Sequence, residues 1–456
     1  MSNTTAENEA KPPTQSEIMV KKAAFASFLG NFIEWFDYAS YSYLAVIIAK
    51  VFFGSDDPTL DLLSTFAVFA LSFILRPIGA VVWGNLGDKK GRRWALSMSI
   101  LLMSGATFLI GCLPPAASIG MLAPLGLLVL RMVQGFSASG EYAGAATFIA
   151  EYAPIEKRGM LVSLVPASTA TGLLLGSLSV TGMHAVLSSE QIETWGWRIP
   201  FLLAGPLGLI TRYIRVHLED SPVYVEMLAE TTRPNEIVKQ PIREIFTHYR
   251  RPLLISFGVA SLNAVGFYVV LTYLPTYMIE VVKMPKDESY LATTITLVVY
   301  VFAIFAAGHI SDIFGRKKML IAACIGFIVL SLPAFILLGT SGFWMIVLIE
   351  TVLCIVLTIN DGTLATYLTE TFPTNVRYSG FALSFNLANA IFGGTAPFIC
   401  TWLIKVTDSS LAPAGYLIVV SSAALVAMIM SHEHSGTDLR DVPESDHAIQ
   451  DRADVI

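Results

Sequence analysis

Apolar runs of about 20 residues or more recur along this chain, residues 319–338 among them, separated by short polar breaks. A run of that length matches an α-helix crossing the ~30 Å hydrocarbon core of a bilayer. Composition agrees. Of 456 residues, 54% are hydrophobic and 14% charged, whereas a soluble domain carries about a quarter charged residues. A soluble chain of this length would divide into two or three domains with polar surfaces, and the charges to cover them are missing. A soluble enzyme, a nucleic-acid binder and a disordered hub are poor fits, and the first partner is the lipid bilayer.

The runs give about twelve spans, near residues 23–50, 62–86, 94–112, 121–150, 160–187, 196–217, 252–281, 290–312, 318–338, 342–369, 379–405 and 411–431. The longest internal polar stretch, 219–251, separates the sixth from the seventh. The expected fold is an all-α membrane protein of twelve transmembrane helices in two six-helix pseudo-repeats. Its parts are an N-terminal tail (1–22), a first bundle (23–217), a connector (218–251), a second bundle (252–431) and a C-terminal tail (432–456). The first twenty or so residues are polar, end in Lys21 and Lys22, and show no signal-peptide cleavage pattern. The four cysteines, Cys112, Cys324, Cys354 and Cys400, lie in or beside apolar runs without a Cys-x-x-Cys pair, so neither a disulfide nor a metal site is expected.

Basic residues set the orientation. Lys89, Lys90, Arg92, Arg93, Lys157, Arg158, Arg212, Arg215, Arg233, Lys239, Arg243, Arg250, Arg251, Arg316, Lys317, Lys318 and Arg377 fall on alternate loops. The opposite loops carry few, and the loop at 54–58 is acidic. Both termini are expected in the cytoplasm, which requires an even number of spans.

An internal repeat is the most informative pattern. Gly84-x3-Asp88-x2-Gly91-Arg92-Arg93 follows the second span, and Gly308-x3-Asp312-x2-Gly315-Arg316-Lys317 follows the eighth. Glu151-x2-Pro154-x3-Arg158 follows the fourth, and Glu370-x2-Pro373-x3-Arg377 the tenth. Two matches in order make the halves parallel repeats, the arrangement of two bundles rocking about a central site. An Asp at the C-terminal end of its own helix sits by a negative dipole, and is tolerated when another helix N-terminus or an Arg lies close. Such a contact forms in one conformation and breaks in another. Gly84, Asp88, Gly91, Arg92, Glu151, Arg158, Gly308, Asp312, Gly315, Arg316, Glu370 and Arg377 are therefore expected to form a conformational latch.

The duplicated loop and Arg131-Met-Val-Gln134-Gly135 resemble the major facilitator superfamily. Asn31-Phe-Ile-Glu34-Trp-Phe-Asp37, Arg76-Pro77-Ile-Gly79, Gln134-Gly-Phe-Ser-Ala-Ser-Gly-Glu141-Tyr and Gly196-Trp-Arg-Ile-Pro200-Phe are similar to its metabolite:proton symporter family. The segments 271–277 and 385–397 are most similar to the proline/glycine-betaine branch. The resemblance spans roughly residues 20 to 430. It implies alternating-access transport and a proton-coupling pair between an acid of the first span and the Arg of the fourth. Asp37 or Glu34 with Arg131 matches that pair.

Charge inside a membrane is costly, so each such residue is a functional candidate. Asn31, Glu34, Asp37, Tyr38 and Tyr41 share one face of the first span. Two carboxylates one turn apart repel and lose solvation, which suits a group that takes up and releases a proton. Arg131, Gln134 and Glu141 share a face of the fourth span, with Arg131 and Glu141 about 15 Å apart, so each needs a partner from another span. Glu34, Asp37, Arg131 and Glu141 are the proton-coupling candidates. In the repeat Glu350 stands opposite Arg131, and Asn360, next to Asp361, opposite Glu141, so that Glu350 or Asp361 is open to a cationic substrate group or to a lock between halves. Arg76 is a buried cation whose partner the sequence does not name.

Asn31, Tyr38, Tyr41, Gln134, Tyr268, Asp361, Asn386 and Asn389 are the substrate-binding candidates. Aromatic faces beside carboxylates suit a quaternary ammonium. A di- or tricarboxylate would want several facing cations, and the core offers Arg76 and Arg131 against at least four acids. The expected ligand is a small compatible solute such as proline or glycine betaine, ahead of an organic acid such as 2-oxoglutarate, citrate or shikimate. A non-transporting membrane sensor ranks lower. With no Gly-x4-Gly-Lys-Ser/Thr loop, ATP is not the expected energy source, and protons are the expected coupling ion without another cofactor. A monomer in a bacterial inner membrane is expected. The tail after Ser431 lacks an apolar seven-residue repeat and is expected to be disordered.

Overall fold

Apolar side chains can sit in lipid only if their backbone hydrogen-bonds itself, and helices meet that condition. A computed structural model describes residues 15–54, 58–230, 241–433, 435–440 and 442, and the described residues contain no strand. Eleven helical stretches among them are long and apolar enough to cross a membrane. The helix Gln15–Tyr43, continued by Ala45–Phe52, carries Glu34 and Asp37 and stands outside those eleven. It packs along span five and closes the first bundle as the twelfth.

In order after span one, span two is Pro58–Ile74 and Arg76–Lys90, three is Arg92–Cys112 and four is Leu122–Tyr152. Span five is Arg158–Val162 with Leu164–Val186, and six is Arg198–Val216. Span seven runs from Arg250–Phe267 through a π turn, Tyr268–Tyr273, into Leu274–Glu280. Eight is Lys286–Phe314, nine Arg316–Leu338 and ten Phe343–Thr371. Span eleven runs from Arg377–Ala388 through a π turn, Asn389–Gly393, into Ala396–Thr407, and twelve is Ala412–Ile429. Large apolar chains such as Phe302, Trp344 and Phe398 remain exposed on the outside, as a lipid-facing surface requires.

The halves meet in a pseudo-symmetric way. Span two of the first half packs on span eleven, and span eight of the second packs on span five. Span four also reaches spans ten and eleven. π turns gather at functional sites because they break the regular i→i+4 ladder, and Tyr268 and Asn389 open the two turns of spans seven and eleven.

The end of the bundle bearing the basic loops also carries helices Pro222–Glu230 and Pro241–His248 of the connector. Arg233 and Lys239, the acids Asp56 and Asp57, residues 1–14 and residues 443–456 lie outside the described residues. The expected disorder after Ser431 fails for the described residues 432–433, 435–440 and 442. Glu433 accepts from the backbone N–H of Arg316 and Lys317 at 3.1 and 3.0 Å, capping span nine. Leu439 is buried in the core at that end, and its carbonyl accepts from Arg377 Nη2 at 2.7 Å. The polar composition hid this docking, because the arginines that hold the tail grip its backbone carbonyls and not its side chains.

Candidate functional site

Two clusters contain the polar residues singled out by the sequence. The first closes the basic end of the bundle. Asp88 Oδ1 and Oδ2 accept from the N–H groups of Tyr378 and Ser379 at 3.2 and 2.9 Å, the first turn of span eleven. Asp312 Oδ1 and Oδ2 accept from Gly159 and Met160 N–H at 2.7 and 2.9 Å, the first turn of span five. Each Asp thus leaves the negative end of its own helix and sits at the positive end of a helix from the other half. The close approach requires glycine: a Cβ on Gly84 would come within 2.6 Å of Ser379 Cα, and one on Gly308 within 2.7 Å of the Gly159 carbonyl. Gly91 and Gly315 turn the chain at φ 97° and 93°.

Ion pairs complete the closure. Glu151 Oε1 lies 3.3 Å from Arg92 Nη2 and 2.8 Å from Arg377 Nη1 of the second half. Glu370 repeats the arrangement, 3.1 Å from Arg316 Nε and 2.9 Å from Arg158 Nη1 of the first half. All twelve latch candidates therefore fall in two related clusters that cross the halves. Beside them, outside the spans, Asp220 accepts from the N–H of Ser221 at 2.9 Å and of Arg93 at 3.3 Å. Burial lifts its carboxyl above the ordinary range.

The second cluster lies at mid-bundle. Arg131 Nη1 donates to Asp37 Oδ2 at 2.8 Å, and Gln134 Nε2 donates to the same oxygen at 3.2 Å. The Arg131 guanidinium stacks over the Tyr41 ring, 3.7 Å from its centroid. Glu34 takes a different cation: Arg76 Nη2 donates to Glu34 Oε1 at 2.9 Å and to the Tyr38 hydroxyl at 2.6 Å. All seven of these residues are buried. Aromatic contacts carry the cluster across to the second half, with Trp35 5.2 Å from Phe267 and Phe73 6.2 Å from Tyr268, centroid to centroid.

The other candidates spread away from this centre. Glu141 pairs with Arg215 of span six, not with span one, in a buried contact also supported by Ser99. Asn31 donates to the Val165 carbonyl and to Ser168 and Thr169 hydroxyls, so its amide binds span one to span five. Asn386 donates to the Ser139 carbonyl at 2.8 Å across the halves, and Asn389 to the Phe385 carbonyl of its own helix. Asp361 accepts from Tyr300 and Asn263, and Tyr142 stacks on Phe385 close by. Glu350 has Thr296 Oγ1 at 3.4 Å. Among the described residues neither Asp361 nor Glu350 has a basic partner.

The sequence and the fold have counterparts in known proteins. The model of the Major Facilitator Superfamily matches residues 27–397. The chain belongs to that superfamily. It is 34% identical over 457 residues to the proline/betaine transporter of Salmonella typhimurium, covering 98% of this chain and 91% of the relative. It is likewise 34% identical to the glycine betaine/proline/ectoine/pipecolic acid transporter of Dickeya dadantii, covering 96% and 89%. The proton:xylose symporter XylE shares the fold with a TM-score of 0.76 at 19% identity, over 93% of this chain and 98% of that one.

Within this superfamily member, sequence reasoning missed Arg215, assigned to a loop, and left Arg76 without a partner. A signal for Arg215 was present. Ala204, Gly208, Thr211 and Arg215 recur at helical spacing on the buried face of span six, opposite the exposed Leu209, Ile210 and Tyr213. Tyr300 and Asn263 carried no such signal, because a single polar residue in an apolar helix does not reveal which neighbour it meets.

Proposed function

We propose that this chain is a proton-coupled symporter of a small zwitterion such as proline or glycine betaine, working by alternating access in a bacterial inner membrane. The observation that carries the reading is the buried Asp37–Arg131 pair between spans one and four. A proton on Asp37 would free Arg131 and change how the two helices hold each other, so protonation and rearrangement are one event. The relatives' names support the substrate, and the distribution of acids does too. Asp361, with Tyr142 beside it, is a buried acid facing no cation, suited to an ammonium group and not to a polyanion. With the basic end in the cytoplasm, the latch described above is closed inward. Both halves of the site come from one chain, which supports a functional monomer.

The membrane potential contributes about 2.3 kcal/mol per proton at 100 mV, enough to drive accumulation. Uptake of labelled proline, glycine betaine, 2-oxoglutarate and citrate into proteoliposomes tests the proposal. Accumulation of the first two, and its loss when the pH gradient and potential are collapsed, is expected. Uptake of the carboxylic acids alone would overturn the substrate, and gradient-independent accumulation the coupling.

A further inference from the structure

Arg76 and Glu34 form a site that the Asp37–Arg131 coupling pair does not use. Arg76 rests on the Phe73 ring, 4.6 Å from its centroid, and 5.3 Å from that of Tyr38. Trp35 lies edge-on to Tyr38 at 5.6 Å and touches Phe267 of span seven. Tyr268, in the π turn, closes the far side against Phe73. Three buried polar atoms here have no protein partner: Arg76 Nε, Glu34 Oε2 and Trp35 Nε1. Buried polar groups are nearly always paired, so the open Glu34 Oε2 and Arg76 Nε, on two side chains already bonded to each other at 2.9 Å, leave hydrogen-bonding capacity for a ligand.

We propose that Arg76 is the anchor for the substrate's carboxylate and that Glu34 holds this anchor while the site is empty. The inference rests on the zwitterion reading above. A guanidinium binds a carboxylate through paired N–H donors, and Glu34 is the protein's own carboxylate already on it. Two ionised carboxylates cannot share one cation in a buried place at tolerable cost. Glu34 therefore leaves Arg76 by taking a proton on its carboxylate as the substrate's carboxylate arrives. The exchange balances: the Glu34–Arg76 ion pair becomes a neutral Glu34 acid and a substrate–Arg76 ion pair, with one proton gained per substrate.

Besides Arg76, the charged and titratable groups that act on Glu34 are Asp37, Tyr38, Glu141 and Tyr268, and Arg131 and Arg215 hold two of these acids. Asp37 and Tyr38 are on its own helix, Arg131 and Glu141 on span four, Arg215 on span six and Tyr268 on span seven. Asp37 is held by Arg131 and Glu141 by Arg215, as Glu34 is by Arg76, and of the three arginines Arg76 is the one that rests on the Phe73 ring.

The test uses the full chain, purified and reconstituted, with glycine betaine and choline as probes. Choline keeps the trimethylammonium and lacks the carboxylate. Wild type should bind glycine betaine about 10–100-fold more tightly than choline, and take up about one proton per betaine in weakly buffered solution. Arg76→Gln should bring the betaine-to-choline ratio close to unity. Glu34→Gln should still bind betaine, but with less proton uptake per betaine and a weaker pH dependence of affinity than the wild type. Because Arg76→Gln strands a buried carboxylate, the double variant E34Q/R76Q, which removes both charges, serves where the single one does not fold, and it too should fail to discriminate. A preserved ratio in either Arg76 variant, or proton uptake undiminished in E34Q, overturns the anchor while leaving the transport reading intact. A wild type that binds no zwitterion overturns both.

Discussion

The two halves share a fold and a latch but handle buried acid differently. In the first half, Glu34, Asp37 and Glu141 each face an arginine: Arg76, Arg131 and Arg215. In the second, Asp361 and Glu350 are equally buried and, among the described residues, face hydroxyl and amide donors without a basic group. A buried ion pair stores a balanced charge that a proton can unbalance. A buried acid without a cation is neutralised only by a proton or by a cationic ligand. The two halves are thus similar frameworks that differ in buried charge, the first with its acids paired to arginines and the second, among the described residues, with Asp361 and Glu350 on hydroxyl and amide groups.

The largest effect should come from breaking a first-half pair on one side. Arg131→Gln leaves Asp37 buried without its cation, which should cost about 3–5 kcal/mol and abolish uptake. Thermal unfolding in detergent measures the first and proteoliposome uptake the second. The double variant D37N/R131Q should recover most of the stability and none of the coupled uptake.

Asp361→Asn is the matching change in the second half, and it strands no cation. It should move stability by less than about 1 kcal/mol while weakening the affinity for a cationic or zwitterionic solute by roughly tenfold. Equal destabilisation in Asp361→Asn and Arg131→Gln would erase the contrast between the halves.

The latch tests whether the halves are equivalent where their motifs agree. Asp88→Asn and Asp312→Asn each weaken one carboxylate-to-helix contact and should each favour opening of the basic end by about 1–2 kcal/mol. Labelling of single cysteines placed at that end reports the change. Unequal shifts would show that the pseudo-symmetry is not energetic. The smallest effect belongs to the tail. Arg440 bridges Glu226 of the connector in an exposed pair, so Arg440→Ala should change opening by less than about 1 kcal/mol. Truncation before Glu433 should do more, because it also removes the cap on span nine and the carbonyl that Arg377 grips.

Much of the site was legible because membrane burial makes charge conspicuous. Glu34, Asp37 and Arg131 stood out in apolar runs, and the pairing of Asp37 with Arg131 lay within the expected choices. Arg215 did not stand out, because it sits near a span end where a basic residue ordinarily reads as topology. The ring cluster around Arg76 was hidden for another reason. Trp35, Phe73 and Phe267 resemble any lipid-facing or packing aromatic until the halves are brought together.

The sequence alone determined that the chain is helical and membrane-spanning, and it picked out the repeated motifs whose residues meet at the basic end. These depend on local quantities: run length against bilayer thickness, and motif against motif. The partners were decided by tertiary structure. Asp88 could have met any helix N-terminus, and meets span eleven because the halves pack span two against eleven and span eight against five. Glu34 could have met Arg131 or Arg76, and the choice depends on which side chains the crossing of spans one, two and four brings within 3 Å. Helix periodicity says which face a charge is on, but only packing says what faces it.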